Sequence, residues 1–370
     1  MLNRTVLISQ RCFSQKSLKL KESQKMLSWL IHSYGDINEL QLESKRLPII
    51  YNPEEVLVQV KAASLNPIDL FMLGGYGKTS FQVLRKAELE FPLTLGRDFS
   101  GTIISKGHGV SNKFNVGDEV YGFVPIHKQG SFAEFVLASG CHILPKPKHL
   151  THEQSASLVY ASMTAWSGLF IAGNLLMRQK EGLRVLVLGG SGGVGTAAIQ
   201  LLKSQGCIVY TTCSKDAVDF VSLLKPDFVF DRSDPNFIKN VELEGKYHVI
   251  LDAANMGIHN IPKSWNFESY ITLNSPLLVN NDNYGLTFGL LKSAKDLFEA
   301  NITNICNGKT VRWGYFVPSN FGFQFLHRLV CEGKINPVIQ KQFGFDDLPC
   351  AIETLKSGHA RGKLVITYDN

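Results

Sequence analysis

The chain has 370 residues, enough for two domains with substantial cores, and its 44% hydrophobic and 19% charged residues are typical of a globular protein. Its formal net charge of +6 gives no case for nucleic-acid binding, which needs a clustered basic face. No run of about eighteen apolar residues is present, so we expect no membrane-spanning helix.

The amino terminus has the composition of a mitochondrial targeting sequence. Residues 1–21 are basic and lack acids, and RCFS places Arg11 two residues before the Phe13–Ser14 bond, which resembles a matrix-processing site. The alternative is a disordered basic tail. We expect residues 1–25 to be a transit peptide and linker, and the protein to be mitochondrial, in the matrix. The seven cysteines form no CxxC pair, which indicates reduced thiols in a reducing compartment.

The first half of the chain reads as short strands separated by turns. Alternating apolar and polar residues predict strands at 56–64, 99–107, 115–125 and 130–139. Many short strands with Gly and Pro turns predict a partly closed, β-rich domain. We expect residues 26–157 to form the first part of this domain, with residues 318–370 returning to it.

The pattern changes near residue 150, where a helix capped by Thr151 begins. Helical stretches then alternate with strands at 184–190, 207–213, 228–231, 247–253, 269–274 and 310–317. This alternation predicts βαβ units and a parallel sheet over residues 158–317. The strand at 310–317 would be an exposed sheet edge, which is compatible with homo-oligomerisation.

A glycine-rich loop marks a dinucleotide site. GSGGVG at 190–195 fits G-x-G-x-x-G, directly follows the strand RVLVLGG and precedes a helix. Glycines let the backbone turn tightly and approach a pyrophosphate, which then meets free amides at the helix start. The alternative is a glycine-rich turn without a ligand. The loop residues expected to bind the cofactor are Ser191, Gly192, Gly193, Val194 and Gly195.

The residues after the second strand of the nucleotide unit favour NADPH. An NAD site usually has an acid there for the ribose diol, whereas this strand runs into Ser214 and Lys215. A hydroxyl and an ammonium suit a 2′-phosphate. Arg232, after the third strand, is a second candidate cation, or alternatively a solvated loop charge.

Seven segments together carry a family resemblance: SLNPID, FPLTLGRDFSGTI, GDEVYGF, GSFAEF, TAWSGL, VLGGSGGVGTAAIQLLKSQG and GHARGKLVI. They cover most of residues 45–370, and the chain resembles the zinc-independent quinone-oxidoreductase branch of the medium-chain dehydrogenase/reductase superfamily. The resemblance implies an α/β fold with a GroES-like β-rich catalytic domain and a Rossmann domain with a doubly wound parallel sheet. It also implies NADPH binding, quinone-type reduction linked to ubiquinone metabolism, and a reticulon-type partner.

Two positions distinguish this chain from the zinc enzymes of that superfamily. Asn66 and Arg97 occupy the places of the Cys and His zinc ligands, and no cysteine occurs between Cys12 and Cys141, so the four-cysteine structural lobe is missing. We therefore expect no metal. Without Lewis-acid zinc, substrates that accept hydride readily are favoured, namely quinones or conjugated carbonyls. Peripheral contact with a membrane remains compatible with such substrates.

The catalytic candidates lie in SLNPIDLFMLGGYGK. Asn66 is expected to contact a substrate oxygen or the nicotinamide. Tyr76 is the candidate acid, because a matching tyrosine is the proposed donor in related enoyl reductases; the alternative is a turn aromatic between glycines. Asp69 and Arg97 are expected to form a structural ion pair.

The remaining cofactor contacts follow from strand ends and from the resemblance. Leu273 and Asn274 end one strand, and Phe316 ends the last one, where loops face the nicotinamide. Tyr160 and Thr164 would line the cleft or pack at the domain joint. The resemblance assigns a cofactor-facing loop to His359, Ala360 and Arg361, for which a solvated surface turn is the alternative.

Overall fold

The computed structural model describes residues 25–85, 89–305, 308–358 and 360–368. The predicted transit peptide, up to residue 24, and His359 lie outside the described residues.

The described strands and helices follow one another along two domains. The strands are β1 (Lys25–Leu30), β2 (Gln41–Arg46), β3 (Glu55–Ser64), β4 (Asp98–Lys106), β5 (Glu119–Phe123), β6 (Phe135–Ser139), β7 (Ile143–Pro145), β8 (Arg184–Leu188), β9 (Ile208–Cys213), β10 (Phe228–Asp231), β11 (Tyr247–Asp252), β12 (Phe267–Thr272), β13 (Thr310–Trp313), β14 (Ile339–Gly344) and β15 (Lys363–Thr367). The helices are α1 (Pro67–Leu73), α2 (Lys78–Arg85), α3 (His152–Trp166), α4 (Gly193–Lys203), α5 (Val218–Ser222), α6 (Phe237–Leu243), α7 (Leu277–Ile305), α8 (Asn320–Cys331) and α9 (Leu348–Lys356).

The catalytic-domain sheet joins the two ends of the chain. Its strand order is β14-β15-β3-β4-β5-β7, and β6 pairs with β3. β15 runs antiparallel to β3, with Ile366 opposite Ala63, so the carboxyl end of the chain completes the first domain. This places the start of β15 beside the SLNPID segment that follows β3.

The parallel sheet has the order β10-β9-β8-β11-β12-β13, which is the 3-2-1-4-5-6 order of dinucleotide-binding folds. Alternate residues of β8 enter different cores: Val185 and Val187 face one apolar cluster, Leu186 and Leu188 the other. Both faces of the sheet are therefore covered, as parallel sheets require. The α/β fold class is confirmed.

Helix α8 lies just after the expected boundary at residue 318. Its apolar residues Phe323, Leu326, Leu329 and Val330 pack in a core that contains residues of both domains. The Phe323 ring contacts the rings of Tyr121 and Phe123 on β5, 5.2 and 5.7 Å between centroids. The return of the chain to the catalytic domain at residue 318 stays a prediction.

Helix α3 connects the domains. Thr151 and Gln154 form the capping box that starts it, and a π-helical turn, Ser167–Ala172, extends it. The stretch His152–Ala172 is long and apolar enough to cross a membrane, the one such stretch among the described residues, but most of it is buried inside the protein. It is the core helix between the two sheets.

Helix α7 covers the open edge of the parallel sheet. The helix is broken at Gly285, whose φ of 75° lies in the left-handed region. Asn301 donates to the Val311 carbonyl (3.0 Å) and accepts from the Val311 amide (2.8 Å). One side-chain amide thus satisfies the outward-facing backbone groups of β13, so this edge does not need a second chain at Val311. Homo-oligomerisation stays a prediction.

Replacing Asn301 by Leu should destabilise the protein by about 1–3 kcal/mol, because both Val311 groups lose their partner. The opened edge should also promote association, measured as a concentration-dependent rise in light scattering. Glu299→Gln is the matched control, since Glu299 forms only an exposed pair with Lys295. Unchanged urea unfolding and scattering in Asn301→Leu would contradict this role.

Candidate active site

The glycine-rich loop is shaped by two close approaches. A Cβ on Gly190 would lie 2.1 Å from Thr211 Oγ1, and a Cβ on Gly195 would lie 2.1 Å from the Gly189 carbonyl oxygen. Gly189 itself has a φ of 82°, which favours glycine. Gly190 and Gly195 are therefore required for packing between the loop, β9 and α4, and Gly195 does not line the cleft.

Gly192 has a different environment, which fits a pyrophosphate. A Cβ there would come no closer than 3.7 Å to a neighbouring atom, and the residue supplies no capping side chain at the start of α4. The first amides of a helix have no partner within the helix, so those of Gly193 and Val194, which line the cleft, are available to an anion. The loop can bind the phosphates of a dinucleotide.

A cavity of about 330 Å³ lies between the loop and the start of β15. It is lined by seven of the residues that the sequence singled out, namely Asn66, Ser191, Gly192, Gly193, Val194, Arg232 and Ala360. The structure therefore brings the predicted catalytic asparagine and the predicted nucleotide loop to one cleft.

Sequence reasoning missed two groups of cavity residues. Ala253, Ala254 and Asn255 follow β11, which neighbours β8 in the sheet. The rule that ligands bind where strand order reverses could have found them. Gly362 and Lys363, at the start of β15, lie inside the motif GHARGKLVI, but nothing in that motif singled them out as cavity residues.

Three cations gather at the end of β9, where a 2′-phosphate is expected. Lys215 follows the strand and is exposed, and the Arg232 amide donates to the Cys213 carbonyl (2.8 Å). Arg361, from the other domain, forms an ion pair with Asp216. Ser214 is half-buried beside them.

Two expected nicotinamide contacts lie at the domain joint. The Phe316 ring stacks on the Tyr160 ring (4.3 Å between centroids, 5° between planes) and meets the Phe123 ring edge-on at 5.1 Å. Leu273 packs against the core on one face of the parallel sheet. Neither residue lines the cavity. The Thr164 hydroxyl donates to the Tyr160 carbonyl (2.8 Å), one turn earlier in the same helix, α3.

Asn66 is buried, and both ends of its amide are engaged. Its Nδ2 donates to Asp98 Oδ2 (3.1 Å) and to the Ser64 carbonyl (3.3 Å), while its Oδ1 accepts from Lys363 Nζ (2.6 Å). A lysine can only donate and a carboxylate can only accept, so these neighbours fix the orientation of the amide. A substrate contact through Asn66 therefore stays a prediction that requires one of these bonds to be shared.

Lys363 connects this asparagine to the nucleotide loop. Its Nζ also donates to the Leu65 carbonyl (2.6 Å), and a Cβ on Gly193 would lie 2.8 Å from its Cδ. The preceding Gly362 donates its amide to the Ser191 carbonyl (2.8 Å). Burial lowers the pKa of Lys363, opposed by the charges of Asp98 and Asp69.

Asp69 and Arg97 form a longer contact than an ordinary ion pair, with 3.9 Å between Asp69 Oδ1 and Arg97 Nε, although both are fully buried. The Arg97 guanidinium donates instead to the carbonyls of Thr94, Pro125 and Lys128, each at 3.0 Å. Burial raises the pKa of Asp69 to about 6, which the Arg97 charge partly offsets. Asp69 and Arg97 therefore have a structural role, because their hydrogen bonds hold separate backbone segments together.

Tyr76 lies on the turn between α1 and α2. Its ring contacts the Phe71 ring (5.6 Å between centroids), and it is close enough to Tyr160 and Tyr315 to raise their pKa values. Burial, and secondly the negative charge of Asp282, raise the pKa of Tyr76. The phenol is therefore kept protonated near the domain joint, although it does not line the 330 Å³ cavity.

Known proteins match the chain over both domains. Residues 52–148 match the alcohol dehydrogenase GroES-like domain, and residues 224–366 match a zinc-binding dehydrogenase. A Drosophila melanogaster protein, "NAD(P)H oxidoreductase RTN4IP1, mitochondrial", is 44% identical, covering 94% of this chain and 87% of that protein. "Reticulon-4-interacting protein 1, mitochondrial" from Caenorhabditis elegans is 34% identical, covering 98% and 99%. The chain belongs to the medium-chain dehydrogenase/reductase family.

The structural comparison agrees with this assignment. The quinone oxidoreductase from Coxiella burnetii is 27% identical and superposes with a TM-score of 0.74, covering 93% of this chain and 99% of that one. Within the family, the relatives with high identity are mitochondrial NAD(P)H oxidoreductases. The expected GroES-like and Rossmann domains, the NAD(P)H cofactor and the mitochondrial localisation are confirmed at this level.

The donors at the family's zinc positions do not fit that metal. Asn66 is bonded to Lys363 and Asp98, and Arg97 carries only N–H donors. Within the described ranges, no group of three or more His, Cys, Asp or Glu side chains converges. A metal-free site remains a prediction for this member of the family.

Replacing Lys363 by Met should cost about 3–5 kcal/mol of unfolding free energy, because it leaves the buried Asp98 without its cation. Urea unfolding with and without NADPH measures the effect. Lys356→Met, on the exposed last turn of α9, is the control. Equal midpoints for the two variants would show that the buried ammonium does not hold this cluster together.

Proposed function

We propose that the chain is an NADPH-dependent reductase that passes hydride to a quinone or a conjugated carbonyl without a metal. The observation that carries the proposal is the position of Asn66. It lines the nucleotide cavity at a family zinc-ligand place, yet its amide is bonded to Lys363 and Asp98. A site without Lewis-acid chemistry suits acceptors that take hydride readily.

When bound, NADPH supplies the hydride. The loop residues Ser191–Gly193 and the amides at the start of α4 hold the pyrophosphate. Lys215, Arg232 and Arg361 surround the 2′-phosphate, and Leu273, Phe316 and Ala360 shape the nicotinamide side. Asn66 orients the acceptor or the nicotinamide from the catalytic domain.

Tyr76 is the proposed proton donor. The phenol O–H bond breaks, the proton goes to the substrate atom that carries the negative charge after hydride addition, and solvent returns a proton to the phenolate. One hydride and one proton convert a quinone to its hydroquinone, so the step balances. The Tyr76 phenol is protonated at neutral pH even at its ordinary pKa of about 10, and burial and Asp282 raise that pKa further, so its position must provide the catalytic benefit.

The proposal extends to the physiological acceptor and to a protein partner. The mitochondrial relatives support a physiological acceptor inside mitochondria, and a lipophilic quinone would link the enzyme to ubiquinone metabolism and to peripheral contact with a membrane. The printed name of the worm relative supports a reticulon-type partner. A reductase of enoyl thioesters, or a nucleotide-binding partner protein with little turnover, would share the same cleft.

The purified chain should consume NADPH with short-chain quinones or enones faster than with an enoyl thioester, measured by the loss of NADPH absorbance. Gly195→Val is the blank, because the new Cβ would lie 2.1 Å from the Gly189 carbonyl and distort the loop. Faster turnover of the thioester would favour a reductase of enoyl thioesters. Tight NADPH binding without turnover of any acceptor would favour a nucleotide-binding partner protein.

Replacing Lys215 by Ala should weaken NADPH binding about tenfold or more and leave NADH binding unchanged, because only NADPH has the 2′-phosphate. Fluorescence titration gives both dissociation constants. Lys239→Ala, an exposed lysine on α6, controls for general loss of positive charge. If Lys215→Ala keeps the same ratio of the two constants, the phosphate site lies elsewhere.

A further inference from the structure

The turn that carries Tyr76 is tight and is bounded by two glycines. Gly75 and Gly77 have φ values of 84° and 79°, both in the left-handed region, and a Cβ on Gly77 would come within 2.5 Å of the Phe81 ring. The Tyr76 amide donates to the Phe71 carbonyl (3.0 Å), which ties the turn to α1. Its other side, which leads into α2, is bonded to a group from outside the turn.

A carboxylate from the other domain binds this turn. Asp282, in the first half of α7, accepts from the Gly77 amide (2.6 Å) and from the Thr79 amide (2.9 Å). The neighbouring Asn281 donates to Ser80 Oγ (3.0 Å). These residues are about two hundred positions apart in the chain, so the contact exists only when the two domains meet in this arrangement.

The chemistry of the contact makes it strong and directional. Gly77 and Thr79 supply amides at the start of α2, which have no partner within the helix. A carboxylate at a helix start makes charge-assisted hydrogen bonds and a favourable interaction with the helix dipole. Leu278, one turn earlier on α7, packs against the catalytic-domain core beside this contact.

The same carboxylate acts on the phenol through its charge. Asp282 from α7 is the charged group that raises the pKa of Tyr76, and Tyr76 in turn raises the pKa values of Tyr160 from α3 and Tyr315 after β13. Asp282 disfavours the phenolate, and burial acts in the same direction. Asp282 does not line the 330 Å³ cavity, so its substitution leaves the lining of that cavity unchanged.

We propose that Asp282 is a positioning residue for the reductive step, which holds the Tyr76 turn against the nucleotide-binding domain so that the phenol faces the acceptor. This inference rests on the proposed function of Tyr76 as proton donor. The position of the proton donor then depends on how the two domains are arranged, because Asp282 of one domain positions the Tyr76 phenol of the other.

The test is Asp282→Asn in the full chain, alone and combined with Tyr76→Phe. Asparagine keeps the size of the side chain but replaces one acceptor oxygen by an N–H group that faces a backbone amide. We expect kcat to fall about tenfold or more with an unchanged NADPH dissociation constant. In the Tyr76→Phe background, Asp282→Asn should cost little further, because the residue acts through Tyr76.

Tyr76 ionisation gives a second readout. The difference in tyrosinate absorbance between each protein and its Tyr76→Phe version isolates this residue, and its pKa should fall in Asp282→Asn because the neighbouring negative charge is gone. Glu299→Gln, an exposed change on the same helix, should leave the turnover and the titration unchanged.

Unchanged kcat in Asp282→Asn, or an undiminished loss in the Tyr76→Phe background, would overturn the positioning role. If the wild-type chain turns over no acceptor, the proposed function fails, and the structural part is decided by the titration and by hydrogen exchange in residues 74–85. A lowered Tyr76 pKa with faster exchange would then support the anchor, and wild-type behaviour in both would overturn it.

Discussion

The buried ammonium of Lys363 is the contact on which the cleft depends. It bonds to Asn66 and to the Leu65 carbonyl on the catalytic side, and its stem fills the space beside Gly193 of the nucleotide loop. Gly362, which precedes it, donates its backbone amide to the Ser191 carbonyl of the nucleotide loop. The first residues of β15 therefore fix the distance between the nucleotide loop and the catalytic segment. An apolar side chain could not do so with the same directionality.

Burying this ammonium is tolerated because the surrounding charges balance. Asp69, Asp98, Arg97 and Lys363 are two anions and two cations, all buried, and each has several hydrogen bonds. Burial shifts every pKa in the group toward the neutral form, so removing any member would leave an opposite charge uncompensated. The cluster is the reason that Asn66 sits in a polar yet closed environment.

Much of this architecture could be predicted from sequence, because it depends on residues that are close together in the chain. The strands β3–β6, the six strands of the parallel sheet, the glycine loop and the Thr151 cap are encoded by residues within a few positions of each other. The missed features join distant positions. Lys363 reads as strand text, and Asn301 and Asp282 lie in a helix that went unpredicted because NNDNYG breaks its apolar pattern before Gly285. Their roles depend on backbone groups of Val311 and Gly77, which carry no sequence signal.

Two further junctions between the domains, at α3 and at α7, differ in kind, and the difference has a consequence for catalysis. The α3 side is apolar, with Tyr160 stacked on Phe316, and such packing tolerates small shifts because dispersion is not directional. The α7 side rests on hydrogen bonds that Asp282 accepts and Asn281 donates, which weaken steeply when their angles change. A small rotation about the apolar joint would therefore be felt first at the Tyr76 turn. Under the proposed function, Tyr76 supplies the proton without a metal to polarise the acceptor, so the geometry of this turn is where such sensitivity matters most.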